Sequence, residues 1–207
     1  MTRLMRTSEI ASLPVVTLAG DDIAQIKDIV FSADGGAVAG FTLAGRGLLA
    51  GPLKQGLSWG RVIGLGPDAV MIADLEALEP VDVVVSAAAS SGTGSGSGSG
   101  GDVLGDRVLT DSGTDLGKVS DVVIEYDNAA GGACDVVGYE IEASDALKAS
   151  TSKSAKNTRL LLPLPDTLAV SDEHVMVPAS AEGFVSDDLA GFGAAVQAFR
   201  AQLNGAS

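Results

Sequence analysis

Gly20-Asp21-Asp22-Ile23-Ala24-Gln25-Ile26-Lys27-Asp28-Ile29-Val30-Phe31 aligns without a gap on Gly113-Thr114-Asp115-Leu116-Gly117-Lys118-Val119-Ser120-Asp121-Val122-Val123-Ile124. The glycine, two aspartates and a valine recur as identities, and the apolar positions match in kind. Farther on, Gly40-Phe41 meets Gly138-Tyr139, and Val70-Met71-Ile72 meets Val175-Met176-Val177, in the same order. Ordered self-similarity of this kind marks a duplicated structural unit.

Each copy reads as a β-meander. Gly20 or Gly113 makes a tight turn among acidic neighbours. An alternating strand follows, with Ile23 and Ile26, or Leu116 and Val119, facing inward before an apolar run. Next comes a turn, Ser32 to Gly36 in one copy and Asp127 to Gly132 in the other, and an apolar strand returns through Val38–Leu43 or Val136–Ile141. Later strands are expected at Trp59–Leu65 with Ala69–Ala73, and at Arg159–Leu164 with His174–Pro178.

Between the copies lies Ser90 to Gly101, SSGTGSGSGSGG, which has nothing to bury. Such composition predicts a random coil with a reach of roughly 20 Å. The expected division is therefore a first domain over 1–86, a linker over 87–101, a second domain over 102–182, and a helix with its tail over 183–207. That helix begins with the capping run Ser186-Asp187-Asp188 and ends near Asn204-Gly205. Leu189, Phe192, Val196, Phe199 and Leu203 form its narrow apolar stripe, suited to its own barrel or, alternatively, to a partner or self-association.

Across 207 residues the apolar share is 46% but the aromatic share only 4%, so the cores are aliphatic. The 27 glycines favour turns over long helices. A net charge of −14 would repel nucleic-acid phosphates and anionic lipid surfaces, and leaves basic proteins as acceptable partners. Residues 1–101 carry −4 and residues 102–207 carry −10, so acidity concentrates in the second half. Lys148, Lys153, Lys156 and Arg159 form the one basic island there, either a contact loop or a solvated excursion between strands. In the first copy the corresponding stretch is Gly45 to Ser58.

Catalytic and metal chemistry finds little to use. Cys134 is the only cysteine and His174 the only histidine, so disulfide, CxxC and two-histidine sites are excluded. No motif supplies a nucleophile for His174 to activate. Asp111-Ser112-Gly113-Thr114-Asp115 has its glycine at the third position and Val122 at the twelfth, which fits a turn and not an EF-hand. The glycine-rich runs lack the Gly-Lys-Ser/Thr of a phosphate loop. The N-terminus carries no signal-peptide core, and no apolar run approaches the roughly 20 residues of a membrane span. A cytoplasmic location is expected, with no cofactor and no metal.

The pattern Gly-x-x-(Ile/Leu)-(Gly/Ala)-x-(Ile/Val)-x-Asp-(Ile/Val)-Val-(Phe/Ile), then an Asp/Gly turn, then Val-x-Gly-(Phe/Tyr), resembles the PRC-barrel domain. The likeness covers most of residues 1–85 and 102–182 and is strongest at Gly117 to Val122. Ala24 stands in the first copy where the family has a second glycine. The resemblance implies an all-β chain of two small barrels in tandem with a C-terminal amphipathic helix, and docking on other proteins without catalysis. It also suggests two rival roles. One is a small-subunit ribosome-maturation accessory. The other is an accessory of a membrane electron-transfer complex, like the cytoplasmic part of the reaction-centre H subunit.

Overall fold

The computed structural model describes residues 2–33, 35–47, 50–90, 103–127, 132–150, 159–165, 169–170 and 174–205. The chain runs β1 (Thr2–Arg6), α1 (Thr7–Ile10), β2 (Pro14–Thr17), β3 (Asp22–Phe31), β4 (Val38–Ala44), β5 (Pro52–Ser58), β6 (Val62–Leu65), β7 (Val70–Ile72), β8 (Glu79–Pro80) and α2 (Val81–Ser90). It continues with β9 (Arg107–Thr110), β10 (Asp115–Asp127), β11 (Cys134–Ala143), α3 (Asp145–Ser150), β12 (Arg159–Pro163), β13 (Ala169–Val170), β14 (His174–Val177) and α4 (Leu189–Gly205). Two compact units result. Among the described residues, the first takes those up to Ser90 together with 125–127 and 132–135, and the second takes 103–124 and those from Val136 onward.

The first unit's sheet has the strand order β6-β7-β2-β3-β4-β5-β8, and the second unit's follows β13-β14-β9-β10-β11-β12. Apart from β8 in the first, and β1, which pairs with β10, the order is the same strand for strand. In each sheet one parallel pair joins antiparallel neighbours: Val15 opposite Val70 in one, Val108 opposite Val175 in the other.

The equivalence extends to single hydrogen bonds. The Gly20 N–H donates to the Thr17 carbonyl at 2.9 Å, and that of Gly113 to Thr110 at 2.8 Å. The Thr17 hydroxyl accepts from the Asp21 N–H at 3.1 Å, and the Thr110 hydroxyl from Thr114 at 2.9 Å. Both glycines have positive φ, +91° and +85°, which a side chain would resist. β3 and β10 then start at the aligned Asp22 and Asp115. A bulge follows in each, with Val15 opposite Ala24 and Val16 opposite Asp22, and likewise Val108 opposite Gly117 and Leu109 opposite Asp115.

The cores are aliphatic, as the composition requires. Ile26, Leu43, Leu57 and Ile72 are fully buried in the first unit, and Leu116, Ile141, Leu162 and Val175 in the second. Each such side chain stabilises its unit by about 1.5–3 kcal/mol.

A helix then covers each sheet at a matching glycine. A Cβ on Gly40 would strike the Leu57 carbonyl and Val84 of α2, and one on Gly138 would strike the Leu162 carbonyl and Phe192 of α4. Both glycines are there so that a helix can approach.

Several expectations need correction. The chain is mostly β rather than all-β, and α2 was not anticipated. Its run Val81-Asp82-Val83-Val84-Val85 has strand-like composition, yet it is helical because Val84 and Ala88, four apart, both sink into the sheet. The start of the expected linker, 87–90, is therefore helix, and 91–101 lies outside the described residues. The presumed loop Gly45–Ser58 contains β5, whose Leu57 faces Phe41 as Leu162 of β12 faces Tyr139. Trp59–Leu65 is not one strand: Trp59–Arg61 is a 3-10 turn leading into β6. The capping run is met as expected: α4 starts at Leu189, with the Asp188 carboxylate accepting the Gly191 N–H at 2.6 Å as its cap.

Candidate functional site

At one end of the first unit the turn after β2 lies against the segment after β7. The Leu18 N–H donates to the carbonyls of Ile72 (3.0 Å) and Ala73 (3.3 Å), placing this turn beside the 3-10 turn Leu75–Ala77. Leu18 is 65% exposed and Leu75 61% exposed. Asp74 caps the 3-10 turn by accepting the Glu76 N–H at 2.8 Å. Two large apolar side chains thus stand in water on hydrogen-bonded turns.

The second unit makes the same turn with different chemistry. Asp111 replaces Leu18; its N–H donates to the Val177 carbonyl at 2.9 Å, and its carboxylate accepts the Ala179 N–H at 3.0 Å. Asp115 accepts the Gly117 N–H at 2.9 Å and lies 3.5 Å from Arg107. The acidic cluster Asp111–Asp115 is accordingly a backbone-capping turn. Among the described residues no group of three metal-ligating side chains occurs.

The basic island is met in part. Lys148 pairs with Asp145 at 3.6 Å on α3, and Arg159 with Glu140 at 3.3 Å, where the Glu140 side chain is only 6% exposed. Lys153 and Lys156 lie outside the described residues. The helix stripe divides: Leu189 is half-buried, whereas Phe192, Val196 and Phe199 are buried within the second unit. Phe199 also meets Phe184, with ring centroids 5.4 Å apart. Those three are core residues and are withdrawn as contact candidates, since a side chain spent on its own sheet offers nothing to a partner. His174 is half-buried at the start of β14, its backbone opposite Arg107.

The first unit also holds a group that pattern reading did not find. Tyr126 is 1% exposed and its hydroxyl donates to the Leu65 carbonyl at 3.2 Å. Its ring stands edge-on to Trp59, which stands edge-on to Phe41, at centroid distances of 6.3 and 6.2 Å. The Trp59 indole N–H donates to the Gly132 carbonyl at 2.6 Å, and Ala37 forms an antiparallel bridge with Asp135. Burial raises the proton affinity of the Tyr126 phenol, and burial followed by the nearby Asp135 charge raises that of the Cys134 thiol. This cysteine is a small buried residue opening β11, as its setting among glycine, alanine and valine predicts. The lone Trp was the one available sequence signal for this group.

A family model for the PRC-barrel domain matches residues 3–79, the greater part of the first unit. The match runs from β1 to the start of β8, so α2 and residues 125–135 lie outside it. No curated protein matches the chain. The PRC barrel carries the exposed leucines on two of its turns. Among the described residues no helix is long and apolar enough to cross a membrane, which leaves β-barrel spans unaddressed.

Proposed function

We propose that the chain is a cytoplasmic, non-enzymatic interaction module of two PRC-type barrels in tandem, docking other proteins through the turn face of the first. The second unit's kinship to the first is supported by the shared strand order, parallel pair, bulge and glycine beneath a helix. Docking is supported chiefly by one observation: Leu18 and Leu75 stand in water where the second unit places a capping aspartate. Two adjacent exposed leucines contribute to a partner's affinity by burial, at about 25 cal/mol per Å² removed from water. The second half, at −10, adds attraction for a basic partner that falls with salt.

Cross-linking in cells with the full chain, followed by identification of bound proteins, tests the reading. A specific partner captured by the native chain, and lost with Leu18→Asp and Leu75→Asp together, supports it. Equal capture by native and doubly substituted chains refutes the leucine face, and capture of nothing specific refutes the module.

A further inference from the structure

The segment that completes the first unit comes from beyond the residues the family model covers. Residues 125–127 and 132–135 belong to this unit, although the matched domain ends at Glu79. The seat they occupy is built from β1, which pairs with β10, and from Ala37 on the way into β4, Phe41 within it, Trp59 after β5 and Leu65 at the end of β6.

Three kinds of recognition converge there. A buried aromatic packs edge-on to the indole, and edge-on aromatic pairs contribute beyond their area. Hydrogen bonds run in both directions, from the Tyr126 hydroxyl to the Leu65 carbonyl and from the Trp59 N–H to the Gly132 carbonyl, and Arg3 of β1 is also hydrogen-bonded to Tyr126. A backbone bridge then adds sheet-like pairing at Ala37 and Asp135. An anchor, polar contacts that set orientation, and a strand edge are the parts of a peptide-recognition site that works by β-addition.

The bridge carries one more clue. Ala37 and Asp135 each stand three residues before the glycine beneath a covering helix, Gly40 and Gly138, so they are equivalent positions of the repeat. A surface on which a position meets its own equivalent is self-complementary, the property of an isologous contact.

We propose that the face of the PRC-barrel domain made by Ala37, Phe41, Trp59 and Leu65 is a receptor for a PRC-type β-hairpin, and that its resident ligand is this chain's own hairpin through Tyr126, Gly132 and Asp135. The covalent connection between residues 90 and 103 raises the effective concentration of that ligand but is not what holds it. This inference is independent of any docking at Leu18 and Leu75, and its test leaves both leucines in place.

A protease site is placed within residues 91–101 of the full chain, and the purified, folded protein is cut. The two fragments are expected to co-elute at low micromolar concentration at the position of the intact chain. The emission of Trp59, the single tryptophan, should be unchanged by cutting. Tyr126→Phe keeps the ring and removes only the hydroxyl's hydrogen bonding, and should raise the fragments' dissociation constant roughly 3–10-fold. Trp59→Phe removes the indole N–H together with part of the ring that packs on Tyr126 and Phe41, and should raise it further. Tyr126→Ala should raise it by roughly 100-fold or more through loss of the aromatic anchor. Fragments that separate on cutting while keeping native β circular dichroism overturn the proposal. So does co-elution whose affinity is indifferent to both phenylalanine variants.

Discussion

Leu18 and Asp111 occupy one backbone turn built twice. Each donates its N–H to the strand that lies parallel to its own, and each is followed by a positive-φ glycine. In the second unit the side chain turns back to cap the next segment; in the first it faces water, and the cap comes from Asp74 instead. The lesson is that the repeated hydrogen bonds fix the path of the chain, and the side chains hung on that path are free to take on different work. The second unit spends its polar groups on itself. The first leaves an apolar face outward and takes in residues 125–127 and 132–135.

The comparison breaks most easily at the covering helices. Phe192→Ala empties the space over Gly138 and should destabilise by about 3–5 kcal/mol, whereas Val84→Ala over Gly40 removes far less surface and should cost about 1–2 kcal/mol. Urea denaturation of the full chain measures both. If the second unit were an unrelated β-domain with an incidental helix, the phenylalanine would tolerate truncation.

Next in size is the bulge. Gly117 has φ +133° and faces the backbone of Glu142 and Ser144 so closely that a Cβ would collide; Ala24, its counterpart, has an ordinary backbone. Gly117→Ala should therefore cost about 2–4 kcal/mol. Ala24→Gly should cost only about 0.5–1 kcal/mol, from the added freedom of the unfolded chain. Equal costs would mean that the two bulges are not built alike.

At the turns themselves the effects shrink. Asp111→Leu leaves the Ala179 N–H without its acceptor and should destabilise by about 1 kcal/mol, in the range of a lost cap. Leu18→Asp removes exposed apolar surface and should change stability by less than about 0.5 kcal/mol. Chemical denaturation that ranked the two in the opposite order would contradict the assignment of roles.

What the residues reveal on inspection tracks the strength of local signals. The glycine turn, the bulged strand and the returning hairpin were legible because Gly20 and Gly113 head two alignable runs with period-2 alternation. β5 was not, because Pro52-Leu53-Lys54-Gln55-Gly56 has poor strand propensity and is held by its register against β4. α2 was hidden by a valine run that tertiary packing turns into a helix. The helix stripe from Leu189 to Phe199 was legible as a stripe, but which surface it seals depends on Gly138, 54 residues before Phe192. Tyr126 and Trp59 lie still farther apart in sequence, and nothing local in either segment announces that they meet.

One effect that is small at neutral pH grows in alkali and separates the units by titration. Phe41 and Tyr139 are equivalent, both buried, Phe41 opposite β5 and Tyr139 opposite β12. Burial, and after it the negative charge of Asp106, pushes the Tyr139 phenol from its ordinary 10.0 to about 12. Between those values the unfolded chain has released this proton and the folded chain has not, so stability is fully present below about pH 10 and falls as pH rises toward 12. Phe41 carries no such proton. Tyr139→Phe should then change stability by less than about 1 kcal/mol at pH 7, yet make the alkaline loss measurably shallower when urea midpoints are followed from pH 8 to pH 11.5. A variant whose midpoints keep the native slope would show that Tyr139 is not the group that sets it, and that the hydroxyl distinguishing the two sheets at this position has no energetic consequence.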